Sequence, residues 1–321
     1  MKYKCCKHLL HELIFAQSDI IPCCYAPRKN DKTKFYNFET GKTFEIEEYI
    51  NNKNRYVEMF KNGHIPKCCD GCFMIEEKDW DDIPDIRRII ISNRTKCSCN
   101  CIYCSLVATS PQSKEELNSR ETYDILPILD DLRNRNLIKN NCLITIAGGE
   151  CTEYPNGELE YIIYFALHNN CRIEIFSSGI IYSKSIENAL KSSDTTLSIS
   201  VDCGTEDTYK KIKGVNAFDR VWDNLKNYIK SCENNPEAKI VIKYILIPGL
   251  NDNIQEAHAF INMCKSINAK NIELAIEYLW YDKNKTEEPN QNIKDTVNYI
   301  KNSGFNISYE CQCIDYMNKI K

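Results

Sequence analysis

The 321-residue chain contains no apolar run approaching the roughly 18 consecutive residues that a membrane-spanning helix requires, so no membrane partner is expected. Neither charge is in excess. Against 45 Asp and Glu stand 41 Lys and Arg, a formal net charge of −4, which argues against general nucleic-acid binding. No export signal is expected either, because His8, His11 and Glu12 interrupt the N-terminal stretch MKYKCCKHLLHELIF that would have to stay apolar. The expected location is cytoplasmic. A composition of 43% hydrophobic and 27% charged residues is ordinary for a soluble protein, and the length suits one large unit plus a small one.

Cysteine is the residue in surplus: 19 of them, an odd number, in a chain expected to stay in a reducing compartment. Disulfides are then a poor explanation and metal ligation a better one. Four thiols fall within eight positions of TKCSCNCIYCS, at Cys97, Cys99, Cys101 and Cys104. Seven more lie in the first quarter, as CCKHLLHELIF, IIPCC and CCDGC. Scattered cysteines such as Cys142, Cys171, Cys232 and Cys264 read as small buried hydrophobes.

From about residue 85 onward, short β-branched runs alternate with stretches of helical length. The runs are 86–92, 143–147, 172–178, 195–202, 239–247 and 271–278, with a last strand at 305–310. Helices are expected near 124–137, 157–169, 183–193, 218–232, 254–267 and 290–303. Six strand–helix repeats imply an α/β fold with a parallel sheet, open or curled, whose ligands gather at the C-terminal strand ends. The first 80 residues read as a hairpin around Ser18-Asp19, a polar loop and a helix near 45–61, with few large apolar residues. Such a thin core calls for a metal staple.

The four-cysteine loop directly follows the first strand of the repeats. It parses as Cys-x3-Cys-x2-Cys over Cys97, Cys101 and Cys104, with Tyr103 before the last. Three thiolates hold three irons of a 4Fe–4S cluster and leave the fourth open. A closed zinc site using Cys99 as well is the competing reading. With that spacing, and with Gly148-Gly149-Glu150 ending the second strand, the chain resembles the radical S-adenosylmethionine (SAM) superfamily.

The resemblance implies a partial (β/α)6 barrel over residues 83–321. Its cluster would cleave SAM to a 5′-deoxyadenosyl radical that abstracts hydrogen from a peptide side chain, a sugar or another small molecule, with flavodoxin or ferredoxin supplying the electron. It also implies that Gly148, Gly149 and Glu150 meet the methionine of SAM, that Ser177 or Ser178 lies near the adenosyl moiety, and that Ser200 and Asp202 lie near the ribose or substrate. Lys213 would stand where relatives carry an arginine for the SAM carboxylate, with Arg220 in reserve, and Ile247 would lie where the adenine packs. Glu273, Glu277, Tyr278 and Trp280 close the sixth strand, facing substrate or packing as a lid.

For each of these softer matches a cap or a turn explains the same residues. The N-terminal cysteines look like an auxiliary-cluster unit of the SPASM or twitch kind. It would form a small cysteine-rich domain over residues 1–82, holding a second 4Fe–4S cluster through Cys6, Cys23, Cys69 and Cys72, with Cys5, Cys24 and Cys68 as close competitors. A zinc-stapled module is the alternative there. For the whole chain the alternative is a non-catalytic iron–sulfur or zinc protein that senses or relays electrons.

Overall fold

The structure, a computed structural model, describes residues 3–23, 34–38, 43–72, 74–79, 85–108 and 112–320. Two compact units divide the chain: Met1–Thr95 with Arg120–Ile173, and Lys96–Ser119 with Glu174–Lys321. Among the described residues no helix is long and apolar enough to cross a membrane.

In the first unit, β1 (Tyr3–Cys5) and β5 (Glu76–Lys78) form a separate antiparallel ribbon. The main sheet runs in the order β7 (Ile138–Ile146), β6 (Ile86–Ile91), β2 (Glu12–Phe15), β3 (Asp19–Ile21) and β4 (Tyr36–Asn37). β6 is parallel to both β7 and β2, with Ile89 opposite Ile144 and Leu13, and Ile91 opposite Ile146 and Phe15. All six side chains are fully buried, each contributing about 1.5–3 kcal/mol. β2 to β3 is the expected hairpin, closed by the Ala16 N–H donating to Asp19 O at 2.8 Å. The expected helix near 45–61 is Ile46–Lys61.

Among the described residues no distinct cysteine-rich domain stands at the N-terminus, because β2 pairs with β6 and carries β3 and β4 with it. Every residue of ELIF and DII is buried, and these largely apolar segments found a sheet edge to join. The cysteine count, which the expectation had followed, carries no information about pairing.

The second unit orders its strands as β12 (Asn306–Tyr309), β11 (Asn271–Ile276), β10 (Lys239–Leu246), β9 (Thr195–Ser200) and β8 (Arg172–Ser177). β9, β10, β11 and β12 are parallel neighbours, and helices connect them. Alternate residues of β10, namely Ile242, Tyr244 and Leu246, are fully buried, and Tyr244 meets Phe260 of helix Ile254–Ser266 edge-on at 4.8 Å. The opposite face carries polar Lys243, opposite Ser200 of β9 and Glu273 of β11. The strands thus make a mixed parallel and antiparallel sheet of the kind a partial (β/α) barrel has.

Candidate active site

Helix Glu206–Lys213 ends at Gly214, whose φ of +67° lies in the left-handed region that glycine adopts without strain. The last carbonyls of any helix lack intrahelical donors. Here the cysteine loop supplies two, Asn100 N–H donating to Lys213 O at 2.8 Å and Ile102 N–H to Ile212 O at 3.0 Å. The approach is close enough that a Cβ on Gly214 would stand 2.8 Å from Asn100 Cβ. The loop is therefore docked by main chain on both sides of Cys101.

Side chains reinforce it. The Tyr103 hydroxyl donates to Asp202 Oδ2 at 2.6 Å, and the Lys213 ammonium donates to the same oxygen and to the Tyr103 hydroxyl, each at 2.5 Å. Asp202 is wholly buried and has a left-handed φ of +68°. That strained geometry is held from three directions: Ile245 N–H donates to Oδ1 at 2.8 Å, Asn251 Nδ2 to Asp202 O at 2.6 Å, and Asp202 N–H to Lys243 O at 3.2 Å. Burial alone would lower Lys213, but the charges of Asp202 and Cys101 outweigh it and hold the amine above its ordinary value.

Within the loop, the Cys99 thiol hydrogen-bonds the sulfurs of Cys101 and Cys97, which pushes Cys99 up. The same bond, helped by the Lys213 charge and opposed by burial, brings Cys101 down to about 6. None of the four sulfurs is in a disulfide. Their soft sulfur chemistry fits an iron–sulfur cluster. Among the described residues, however, no three Cys, His, Asp or Glu side chains already converge on a common metal position.

The first unit holds the Gly-Gly-Glu turn. Gly148 has a φ of +99°, and a Cβ there would stand 2.6 Å from Arg94 O, while Gly149 N–H donates to that carbonyl at 2.8 Å. Glu150 is buried and caps the short helical turn Cys151–Glu153, accepting from Thr152 N–H at 3.2 Å and from its hydroxyl at 2.8 Å. Arg94 pairs with Glu158 at 2.5 Å.

The remaining candidates other than the N-terminal cysteines lie in the second unit. Ser177 Oγ accepts from Gly179 N–H at 3.0 Å and Ser178 Oγ from Ile180 N–H at 3.4 Å, so both shape the turn after β8. Ser200 ends β9 opposite Lys243, whose ammonium pairs with Glu273 at 2.9 Å and Glu310 at 3.3 Å. The Ile247 N–H donates to Asn251 Oδ1 at 2.6 Å. Glu277 caps helix Tyr278–Asn284, and Arg220 is exposed on helix Phe218–Ser231.

Of the N-terminal thiols, Cys6 is buried and raised, first by desolvation and further by nearby Cys72. Cys72 N–H donates to Cys69 O at 3.1 Å, in one tight turn. Cys23 is half-buried. Cys24 and the side chains of Cys5 and Cys68 lie outside the described residues.

Asn251 and Glu256 are additions that sequence reasoning missed. Asn251 bridges Asp202, Ile245 and Ile247, and the Asn-Asp pair after Pro248-Gly249 was its only signal. Glu256 accepts from Gly204 N–H at 2.8 Å and from the hydroxyls of Thr205 and Thr208 at 2.6 Å, tying down the segment after β9. No local pattern announces that contact.

A docked cysteine loop after the first repeat strand and a glycine turn after the second are features of one family, and the Radical SAM superfamily profile matches residues 94–261. That is more than half of the sequence, and the chain belongs to this superfamily. It is similar to the dual-specificity RNA methyltransferase RlmN of Wigglesworthia glossinidia brevipalpis, 30% identical over 208 residues that cover 59% of this chain and 52% of that one. It is also similar to the GTP 3′,8-cyclase of Clostridium acetobutylicum, 28% identical over 188 residues, 57% of this chain and 53% of that one. The chain spans about half the length of these curated relatives. In fold it is similar to Streptococcus suis SuiB bound to precursor peptide SuiA, with a TM-score of 0.55 at 14% identity, covering 87% of this chain and 57% of that one.

Proposed function

We infer that the protein is a radical SAM enzyme that takes a hydrogen atom from a peptide side chain or from a sugar or other small molecule. Cys97, Cys101 and Cys104 would hold a 4Fe–4S cluster whose open iron takes the amine and carboxylate of SAM. When bound, that cluster supplies the electron that cleaves SAM to methionine and a 5′-deoxyadenosyl radical. Gly148 and Gly149 leave their backbone open to the methionine, and the Glu150 carboxylate can accept a hydrogen bond from its amine. Ser177 or Ser178 offers an oxygen near the adenosyl moiety. Ser200 would lie near the ribose or substrate together with Asp202, whose carboxylate is engaged by Ile245, Tyr103 and Lys213. Ile247 offers an apolar side chain for the adenine, and Lys213 a charge. The single observation that carries the reading is the docked loop with its Cys-x3-Cys-x2-Cys spacing inside the family match.

We further propose residues 1–82 as an auxiliary-cluster region, with Cys6, Cys23, Cys69 and Cys72 on a second 4Fe–4S cluster, preceding the barrel at 83–321. The nearness of Cys6 to Cys72 and the Cys69–Cys72 turn support it. A flavodoxin- or ferredoxin-type donor in the cytoplasm suits both clusters. For substrate, a peptide side chain draws support from the precursor peptide bound by SuiB, and a nucleotide-derived small molecule from the GTP cyclase.

Anaerobic reconstitution with SAM and a strong reductant tests the chemistry, which requires 5′-deoxyadenosine to form. Iron content tests the cofactors: about four per chain means one cluster and about eight means two. A second reading, a closed zinc site at Cys97, Cys99, Cys101 and Cys104, is favoured by the Cys99 thiol contacting two of its neighbours. It predicts zinc without iron and no nucleoside product.

A further inference from the structure

We propose that Tyr103, Asp202 and Lys213 form a buried clamp that positions the cysteine loop and sets the charge felt at Cys101, so that Lys213 acts through the loop and does not grip the SAM carboxylate. The inference rests on the loop holding the 4Fe–4S cluster. Its own basis is geometric. The Lys213 side chain is only 3% exposed, and its ammonium is committed to Asp202 and the Tyr103 hydroxyl. Both Asp202 carboxylate oxygens are engaged in turn, Oδ1 by Ile245 N–H and Oδ2 by Tyr103 and Lys213.

Swinging the ammonium toward a ligand would leave a wholly buried carboxylate without its counter-charge, which is among the most costly changes a protein interior can undergo. Lys213 also holds the loop through its main chain, since its carbonyl accepts from Asn100 N–H. One residue therefore anchors the loop on both sides of Cys101, by backbone before it and by side chain, through Tyr103, after it. The Lys213 ammonium and the Asp202 carboxylate meet at the Tyr103 hydroxyl, two residues after Cys101, so the ammonium favours negative charge on the loop and the carboxylate opposes it. A cluster gains negative charge on reduction, so the two residues should tune it in opposite directions.

Three positioning variants test this in the full chain: Lys213→Met, Asp202→Asn and the double variant. The readouts are the SAM-free midpoint potential of the reconstituted cluster followed by EPR, the affinity for SAM per loaded cluster, and the melting temperature of the metal-free protein. Lys213→Met should lower the midpoint, Asp202→Asn should raise it, and the double variant should return both midpoint and melting temperature toward wild type. A loss of SAM affinity of about tenfold or more in Lys213→Met at an unchanged midpoint is what direct carboxylate contact produces, and it overturns the proposal. Midpoint shifts of the same sign overturn it as well. If the single variants do not fold, Tyr103→Phe takes their place: a changed EPR spectrum of the SAM-free reduced cluster supports the clamp, and an unchanged one defeats it. Failure of the underlying functional reading looks different, because the wild type itself then takes up no iron and both ideas fall.

Discussion

Lys213 and Lys53, the two most deeply buried lysines among the described residues, are treated in opposite ways. Lys213 of the second unit is enclosed with a carboxylate and a phenol, and its amine is held above the ordinary value. Lys53 of the first unit, on helix Ile46–Lys61, is equally buried, yet desolvation dominates and Asp85 only partly offsets it, so the amine falls to about 8. The contrast separates a cation kept for its charge from one whose charge is a liability near neutral pH. It also matches the cysteines. Those beside Lys213 sit on a loop pinned by backbone and side chains, whereas Cys69 and Cys72 share one tight turn near Cys6.

The comparison breaks first at the thiols. Cys101→Ala should reduce 5′-deoxyadenosine to background, while Cys72→Ala should only lower iron from about eight to about four per chain, as iron analysis and chromatography of the nucleoside would reveal. Next comes the glycine turn of the first unit. Gly148→Ala forces a side chain into a left-handed conformation against the Arg94 carbonyl and should cost about 3 kcal/mol in urea melts, more than an alanine at open Gly63.

Lys53 gives a pH signature of similar size. Its folded-state value lies below the unfolded one, so the unfolded chain binds the extra proton between about pH 8 and 10.5, and stability should rise with pH across that window by about 3 kcal/mol relative to Lys53→Met. Below pH 8 the difference should be level. A flat difference across the window would mean that the amine is solvated. Smallest is Glu256→Gln, which keeps the shape but exchanges a charged acceptor of three hydrogen bonds for an amide with one acceptor oxygen. A loss of about 2 kcal/mol is expected in thermal melts.

Much of the second unit was legible in the sequence because its signals are local. KIVIKYILI alternates around a buried face, and the observed β10 and helix Ile254–Ser266 fall within a residue or two of expectation. The cysteine spacing and the Gly-Gly-Glu turn are equally local. What stayed hidden depends on long-range meetings: Asn251 and Asp202 are 49 positions apart, and Glu256 reaches Thr205 across 51. Helix Glu206–Lys213 was passed over because its lysine-rich surface dilutes the apolar period. At the N-terminus, thiol count suggested a separate module, whereas the pairing of ELIF with IRRIII was written only in the apolar composition the two strands share.

The bond between Lys213 and Tyr103 joins positions 110 apart. A nascent chain therefore carries its thiol-rich segment on a slack tether until the ribosome has released residue 214, since the helix end that receives it does not yet exist. On the proposed reading, iron delivered earlier would meet donors with no template, and insertion of a cluster would be a late event, timed by synthesis of the barrel's middle rather than by the appearance of the cysteines.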